Sequence, residues 1–434
     1  MFNFLKKTRN WKNWYSWKRK SNFSTTTSEE EEIQKIVQHW IRVFSIKLGW
    51  IKDFDKLVIK YATTIFMFDT FRLSSKLLKS LYGHHFCVNS IDYSTYDGYQ
   101  FICSGSIDNT VCVWDIDNSK QIRSFNEHSS SVSCVKFSSY HYHSHRQNVI
   151  CSSSGDKTIR FWDFKRNKQL QIFNGHTYAV CDIVFSQFNC GQYLCSVSWD
   201  KTIRLWDIET SKQLHIFNGH TSGVWSVDIS PLQGNNNKKN DNINKSNSIG
   251  VIGGNGYTIC SGSDDKTIRI WDIKTTQQLI VFKGHNNLVK SVKYCSNESG
   301  NIGGANTILS GSIDKSVRLW DIRSGQQIQV FNGHTCYVNA VEYSPFVVNN
   351  NEVVGDISNV ICSASADNTI RFWDIRSNKN ELYVERSDKE DCGINCFTFF
   401  KVKKKENKIE RKYNRGYDIN MCYGSYTGII RFWE

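Results

Sequence analysis

The side chains best equipped for chemistry in this chain are histidine, serine and aspartate, and they come in sets. His220, Ser261 and Asp265 form one such set. These residue types can build a nucleophilic triad, in which a hydroxyl attacks, an imidazole takes its proton and a carboxylate orients the imidazole. A triad is needed once, whereas this set returns six times, each time with a tryptophan at fixed spacing. The six are His84, Ser104, Asp108 and Trp114; His128, Ser152, Asp156 and Trp162; His176, Ser196, Asp200 and Trp206; His220, Ser261, Asp265 and Trp271; His285, Ser310, Asp314 and Trp320; and His334, Ser363, Asp367 and Trp373. Six equivalent copies are scaffold, not six active sites. With no nucleotide loop, metal site or lone nucleophile competing, the reading is a protein that is not an enzyme and needs no cofactor or metal.

The elements that carry these sets are repeats. The phrase CSGSDDKTIRIWD at Cys260 to Asp272 is the clearest copy, and its Trp-Asp ending recurs with a period of about 40 to 65 residues up to Trp433. Each copy reads as four short strands with turn residues between them. This pattern resembles the WD40 family over about Ser75 to Glu434. The resemblance implies an all-β, seven-bladed propeller. It also implies that, within a blade, the tryptophan indole donates to serine, serine bonds histidine and histidine bonds aspartate. The seventh repeat departs, with Glu390, Tyr423 and Thr427 at the histidine, serine and aspartate places, so that blade is expected to be the least cooperatively held. It also stops one strand short, and Lys76 to Leu81 is the segment that can complete it and remove an exposed sheet edge.

Ahead of the ring, Ser28 and Glu31 have capping-box spacing, and Ile33, Ile36, Val37, Trp40, Ile41 and Phe44 repeat at three and four residues. A second apolar series runs from Phe54 to Ile65 behind Asp53. The expected organisation is therefore a basic, aromatic-rich, disordered tail over 1–27, an α-helical extension made of a helical pair over 28–74, and the propeller over 75–434. The net charge of +13 is confined to the ends: Met1 to Ser28 carries seven Lys and Arg and no acid, and Lys401 to Arg415 carries eight against two acids. The remainder is neutral, which argues against a nucleic-acid-binding ring. Of fifteen cysteines, Cys103, Cys151, Cys195, Cys260, Cys362 and Cys422 occupy one equivalent place in different repeats and cannot pair with one another. They read as small buried hydrophobes in a reducing, cytoplasmic compartment.

His141, His143 and His145 alternate in an insertion, but with no thiol or carboxylate beside them they read as a solvated loop, not a metal site. Binding residues are sought instead on the short-loop face. There the resemblance places Trp199, Trp225, Asp264, Leu288, Lys290, Ile313 and Tyr337 around the channel, against small or polar Ser131, Ser133 and Gly155 in the second repeat. Exposed aromatics with one acid and one base suit peptide segments of partner proteins; a filling role in the channel wall is the alternative for Leu288 and Ile313. The leading function is a non-enzymatic, monomeric interaction scaffold. Two Trp-Asp-x-Arg endings, with Arg323 and Arg376, resemble the adaptor-docking box of cullin-RING ubiquitin-ligase substrate receptors and keep that reading open. A third reading makes the tail, with Trp11, Trp14 and Trp17 among its lysines, an interfacial membrane anchor of an adaptor.

Overall fold

The computed structural model describes residues 76–230, 257–295, 307–345, 360–375, 381–403 and 417–433. The basic tail, the expected helical pair, the inserted segments 233–255, 296–306 and 347–359, and Arg376 lie outside these residues. Among the described residues no helix is long and apolar enough to cross a membrane.

Among the described residues, twenty-eight strands form seven antiparallel sheets of four. The fourth blade shows how sequence sets position. Its first strand, Val224–Ile229, alternates between buried and part-exposed residues, and its second, Thr258–Ser263, is buried along its whole length between neighbouring blades. The third, Thr267–Asp272, carries Trp271, whereas the fourth, Gln278–Lys283, is exposed at both ends and forms the outer rim. A strand buried on both faces must be continuously apolar or small, which is why the Ile-Cys-Ser-Gly-Ser pattern belongs to the second. The cysteines of that pattern are all fully buried, and none of the fifteen is in a disulfide.

Blades meet where the second strand of one lies under the first strand of the next. A Cβ added to Gly105, Gly262, Gly311 or Gly424 would come within 2.5, 2.8, 2.7 and 2.7 Å of Val132, Val289, Val338 and Val88 respectively. Glycine there is a packing requirement. Polar groups clamp the same seams. Ser90, Ser226 and Ser291 accept the backbone N–H of Val135, Val292 and Val341 in the next blade at 3.1, 3.2 and 3.2 Å. Asp92, Asp182 and Asp228 accept from Phe137, Val227 and Tyr294 at 2.8, 3.0 and 2.8 Å. Each clamp satisfies a backbone donor that the sheet ladder leaves over.

The ring closes with chain segments far apart in sequence. Leu77–Leu81 pairs antiparallel with Ile430–Trp433, and the order across the closing sheet places it outside the third strand. Leu81 is buried with Ile430 and Phe432 in one apolar cluster, and the Arg431 guanidinium donates to Ser80 at 3.3 Å. Removing residues 1–72 is expected to leave a cooperatively melting ring, whereas removing 1–82 leaves Ile430–Trp433 as a bare edge. Equal melting temperatures for the two truncations would contradict closure by this strand.

Candidate functional site

In six blades the recurrent side chains form one continuous chain of hydrogen bonds. The indole Nε1 donates to the serine Oγ at 2.8–2.9 Å, and that oxygen lies 2.8 Å from the histidine Nε2. The histidine Nδ1 then meets the aspartate Oδ2 at 2.7–3.0 Å. The direction follows from the indole end, because an indole N–H can only donate. Where the imidazole is neutral, serine accepts that proton and gives its own to Nε2, which leaves Nδ1–H for the carboxylate. The aspartate also accepts backbone N–H groups and a threonine or serine hydroxyl, as Asp265 does from Thr221 and Thr267. No acceptor in the set remains for a substrate. The serine hydroxyls are fully buried, which closes the nucleophile reading on geometry.

The first set differs from the third, fourth and fifth by one neighbour. Burial alone would raise the carboxyls of Asp108, Asp156, Asp200, Asp265, Asp314 and Asp367, but their histidine and hydroxyl donors outweigh it and hold them far below the usual range. His176, His220 and His285 are pushed down, chiefly by burial, with a small contribution from Arg204, Arg269 and Arg318 beside the aspartates at 3.8, 3.4 and 3.5 Å. In the first blade Cys112 stands where the others carry that arginine. Burial also opposes the charge of His84, yet its bonds to Asp108 and the neighbouring Cys112 raise it to about 9.

The seventh blade corrects the sequence reading. Glu390 is exposed, and the buried position is taken by its neighbour Asp391. Asp391 accepts from the Tyr423 hydroxyl at 2.9 Å and from Arg431 Nε at 2.9 and 3.0 Å. Thr427 meets only the Ser425 hydroxyl, at 3.0 Å, and does not join the set. A buried arginine–carboxylate pair therefore replaces the histidine-centred chain, and it also ties down the closing strand through Ser80. The expectation of a loosely held blade was built on the wrong residue.

The histidine insertion is corrected as well. Ser139–His145 is a helix capped by Ser138, and His141 is buried with its Nδ1 2.8 Å from the Ser138 hydroxyl. Burial and the nearby His145 push it down to about 4. Among the described residues no group of side chains could hold a metal.

At the short-loop end the ring encloses an axial cavity of about 1100 Å³ whose lining includes Trp199, Trp225 and Lys290, together with Ser131, Ser133 and Gly155. Asp264 and Tyr337 are exposed outside that lining, and Leu288 and Ile313 are half-buried, joined by the bond from the Ile313 N–H to the Leu288 carbonyl at 3.1 Å. Two expectations fail here. Trp225 is half-buried, not largely exposed, and Lys290 points into the channel, where its Nζ donates to Asn339 and Asn395 at 2.8 and 3.3 Å. Trp199 is 48% exposed and packs edge-on against Trp225, with ring centroids 5.3 Å apart. A Cβ on Gly223 would sit 3.0 Å from the Trp199 ring, so glycine lets that ring lie flat on the rim. Phe86 and Ile107 of the first blade, both exposed, line the same mouth and escaped the sequence reading. Ile107 precedes its turn aspartate just as Trp199 does, which was the available signal. Arg323 is exposed in its turn.

Seven closed four-stranded sheets with a buried Trp-Ser-His-Asp chain in six of them define a propeller of Trp-Asp repeats, a class that typically serves as a non-enzymatic platform for other proteins. The family model for the WD domain, G-beta repeat, matches residues 75–115, 119–163, 167–207, 211–234, 245–272, 276–321 and 325–374, and the chain belongs to this WD40 family. The fourth and fifth segments are the two parts of one insertion-split repeat, and the matches end before the aberrant seventh. No curated protein matches the chain.

Two outcomes are expected. Asp391→Ala leaves the buried Arg431 only the exposed Asp388 at 3.5 Å and should cost about 3 kcal/mol in denaturant unfolding; a loss below about 1 kcal/mol would contradict the ion pair's role. Stability should also fall on both sides of neutrality. The depressed histidines contribute stability that is present above their unfolded value near 6.5 and is lost as pH falls below it, with a steeper loss below about 4 from the aspartates. His84 acts oppositely: its contribution is complete below about 6.5 and is lost as pH rises through about 9. Calorimetric melting from pH 3 to 10 checks both limbs; His84→Gln should flatten the alkaline one and, by removing a donor from Asp108, soften the acid one in part.

Proposed function

We propose that the protein is a scaffold that holds a peptide segment of a partner protein across the short-loop mouth of the channel, in a reducing compartment such as the cytoplasm. The observation that carries this reading is the Trp199–Trp225 pair at the channel mouth: a half-exposed ring braced edge-on by a half-buried one, with Gly223 leaving it room. Aromatic rings held rigid before a partner arrives lose little entropy on binding, and such side chains dominate interface energetics. Phe86 and Ile107 on the first blade extend the apolar surface to the other side of the mouth. The absence of any disulfide among fifteen cysteines supports the compartment.

The test begins with affinity purification and quantitative mass spectrometry of captured partners; a cullin adaptor among them would instead favour the ligase-receptor reading. Trp199→Ala should weaken binding of the identified partner by about tenfold or more while leaving the melting temperature unchanged, because its ring is half exposed. Trp225→Ala should lower both, since Trp225 is half-buried. Unaltered binding in both variants would place the partner on another face.

A further inference from the structure

The seven first strands line the channel, and their second residues form its upper collar: Asn89, Ser133, Cys181, Trp225, Lys290, Asn339 and Asn395. Only one of these residues carries a formal charge. Three residues further along, about 10 Å deeper at the rise of a strand, the two lysines are each paired with an acid. Lys136 meets Asp92 at 3.5 Å and Lys293 meets Glu342 at 3.4 Å. The remaining cavity acids, Asp182 and Asp228, are occupied by backbone N–H donors.

Lys290 has no such partner. Its described acceptors are two neutral amide oxygens, and the other nitrogens of those amides are committed elsewhere: Asn339 Nδ2 to the Ile394 carbonyl and the Tyr426 hydroxyl, Asn395 Nδ2 to the Val88 carbonyl and Asn89. The network therefore orients oxygens at the ammonium but supplies no negative charge. Burial lowers its affinity for a proton, as expected for an uncompensated cation. A second donor lines the same cavity: the Trp225 indole N–H is buried and meets no acceptor among the described residues. Asp264, in the neighbouring blade's turn, is exposed, where its charge is screened.

We propose that Lys290 is the recognition point for an acidic side chain, aspartate or glutamate, carried within an extended peptide whose apolar neighbours rest on Trp199 and on Phe86 with Ile107. A side chain fits better than a chain terminus, because apolar contacts stand on both sides of the mouth and the segment must continue past the anchor in both directions. The inference rests on the peptide-binding reading above and deepens it.

The probe is a random dodecapeptide library displayed on phage and selected on the purified full chain. Selected peptides should share an acidic residue flanked by apolar ones, and changing that residue to its amide should weaken binding about tenfold or more. In the Lys290→Met variant the acid and amide peptides should bind alike, and Lys290→Arg should restore part of the preference. The cycle reads coupling and is indifferent to any change in stability. An acid-to-amide loss of equal size in wild type and Lys290→Met overturns the proposal. If selected peptides need Trp199 but no acid, the peptide-binding reading survives and this one falls. If nothing selected depends on either residue, both fall.

Discussion

The structure depends on one hydroxyl per blade. In six blades a serine oxygen with no solvent exposure lies between an indole N–H of the third strand and an imidazole of the loop before the first. Leaving any member of that chain unpaired costs about 1–3 kcal/mol, so the loop is drawn inward and held. The aspartate at the far end repeats the effect on the next turn, where six non-glycine residues from Asn109 to Asn368 adopt the left-handed backbone. The short-loop face owes its rigidity to this wiring. A rigid face can present aromatic side chains without their collapsing into the channel.

Much of this was legible because the scaffold is repetitive. Serine, aspartate and tryptophan at constant spacing behind a histidine, six times over, leave little choice of architecture, and the last repeat's want of a fourth strand points to Lys76 to Leu81. The seventh blade misled for the same reason: aligning its copy on the histidine column put Glu390 in a place that Asp391 fills, one residue on. The seam clamps were unreadable, because Ser90 or Asp228 on an alternating strand looks like any solvent-facing polar residue. Only the neighbouring blade's unpaired N–H shows its use. The helix at Ser139–His145 hid behind histidine and tyrosine, which are neither plainly apolar nor plainly polar. Lys290 was read as a rim cation because spacing gives a position on a strand but not the depth to which a long side chain reaches.

The blades are nearly identical at their buried second strands and individual at the channel. Every second-strand run ends in a buried serine, yet the collar holds an indole, an ammonium, a thiol, a hydroxyl and three amides. Repetition sustains the ring, and departure from it creates chemistry. The inner lysines are each paired with an acid across neighbouring blades, whereas Lys290 keeps only amide oxygens and is the cation that the proposed acidic side chain would meet.

The closing sheet has a consequence in time. Ser80 and Arg431 touch across 351 positions of chain. At synthesis rates of about 5–20 residues per second, the first of these strands leaves the ribosome about 20 to 70 seconds before its partner exists. Throughout that interval the nascent ring is an open stack: each new blade can dock on the one before it, but the first blade keeps a naked flank. Its folding is then limited by translation and not by the chain's own search, and the half-made protein offers a β-edge to any chaperone, or to any second nascent copy, that reaches it first.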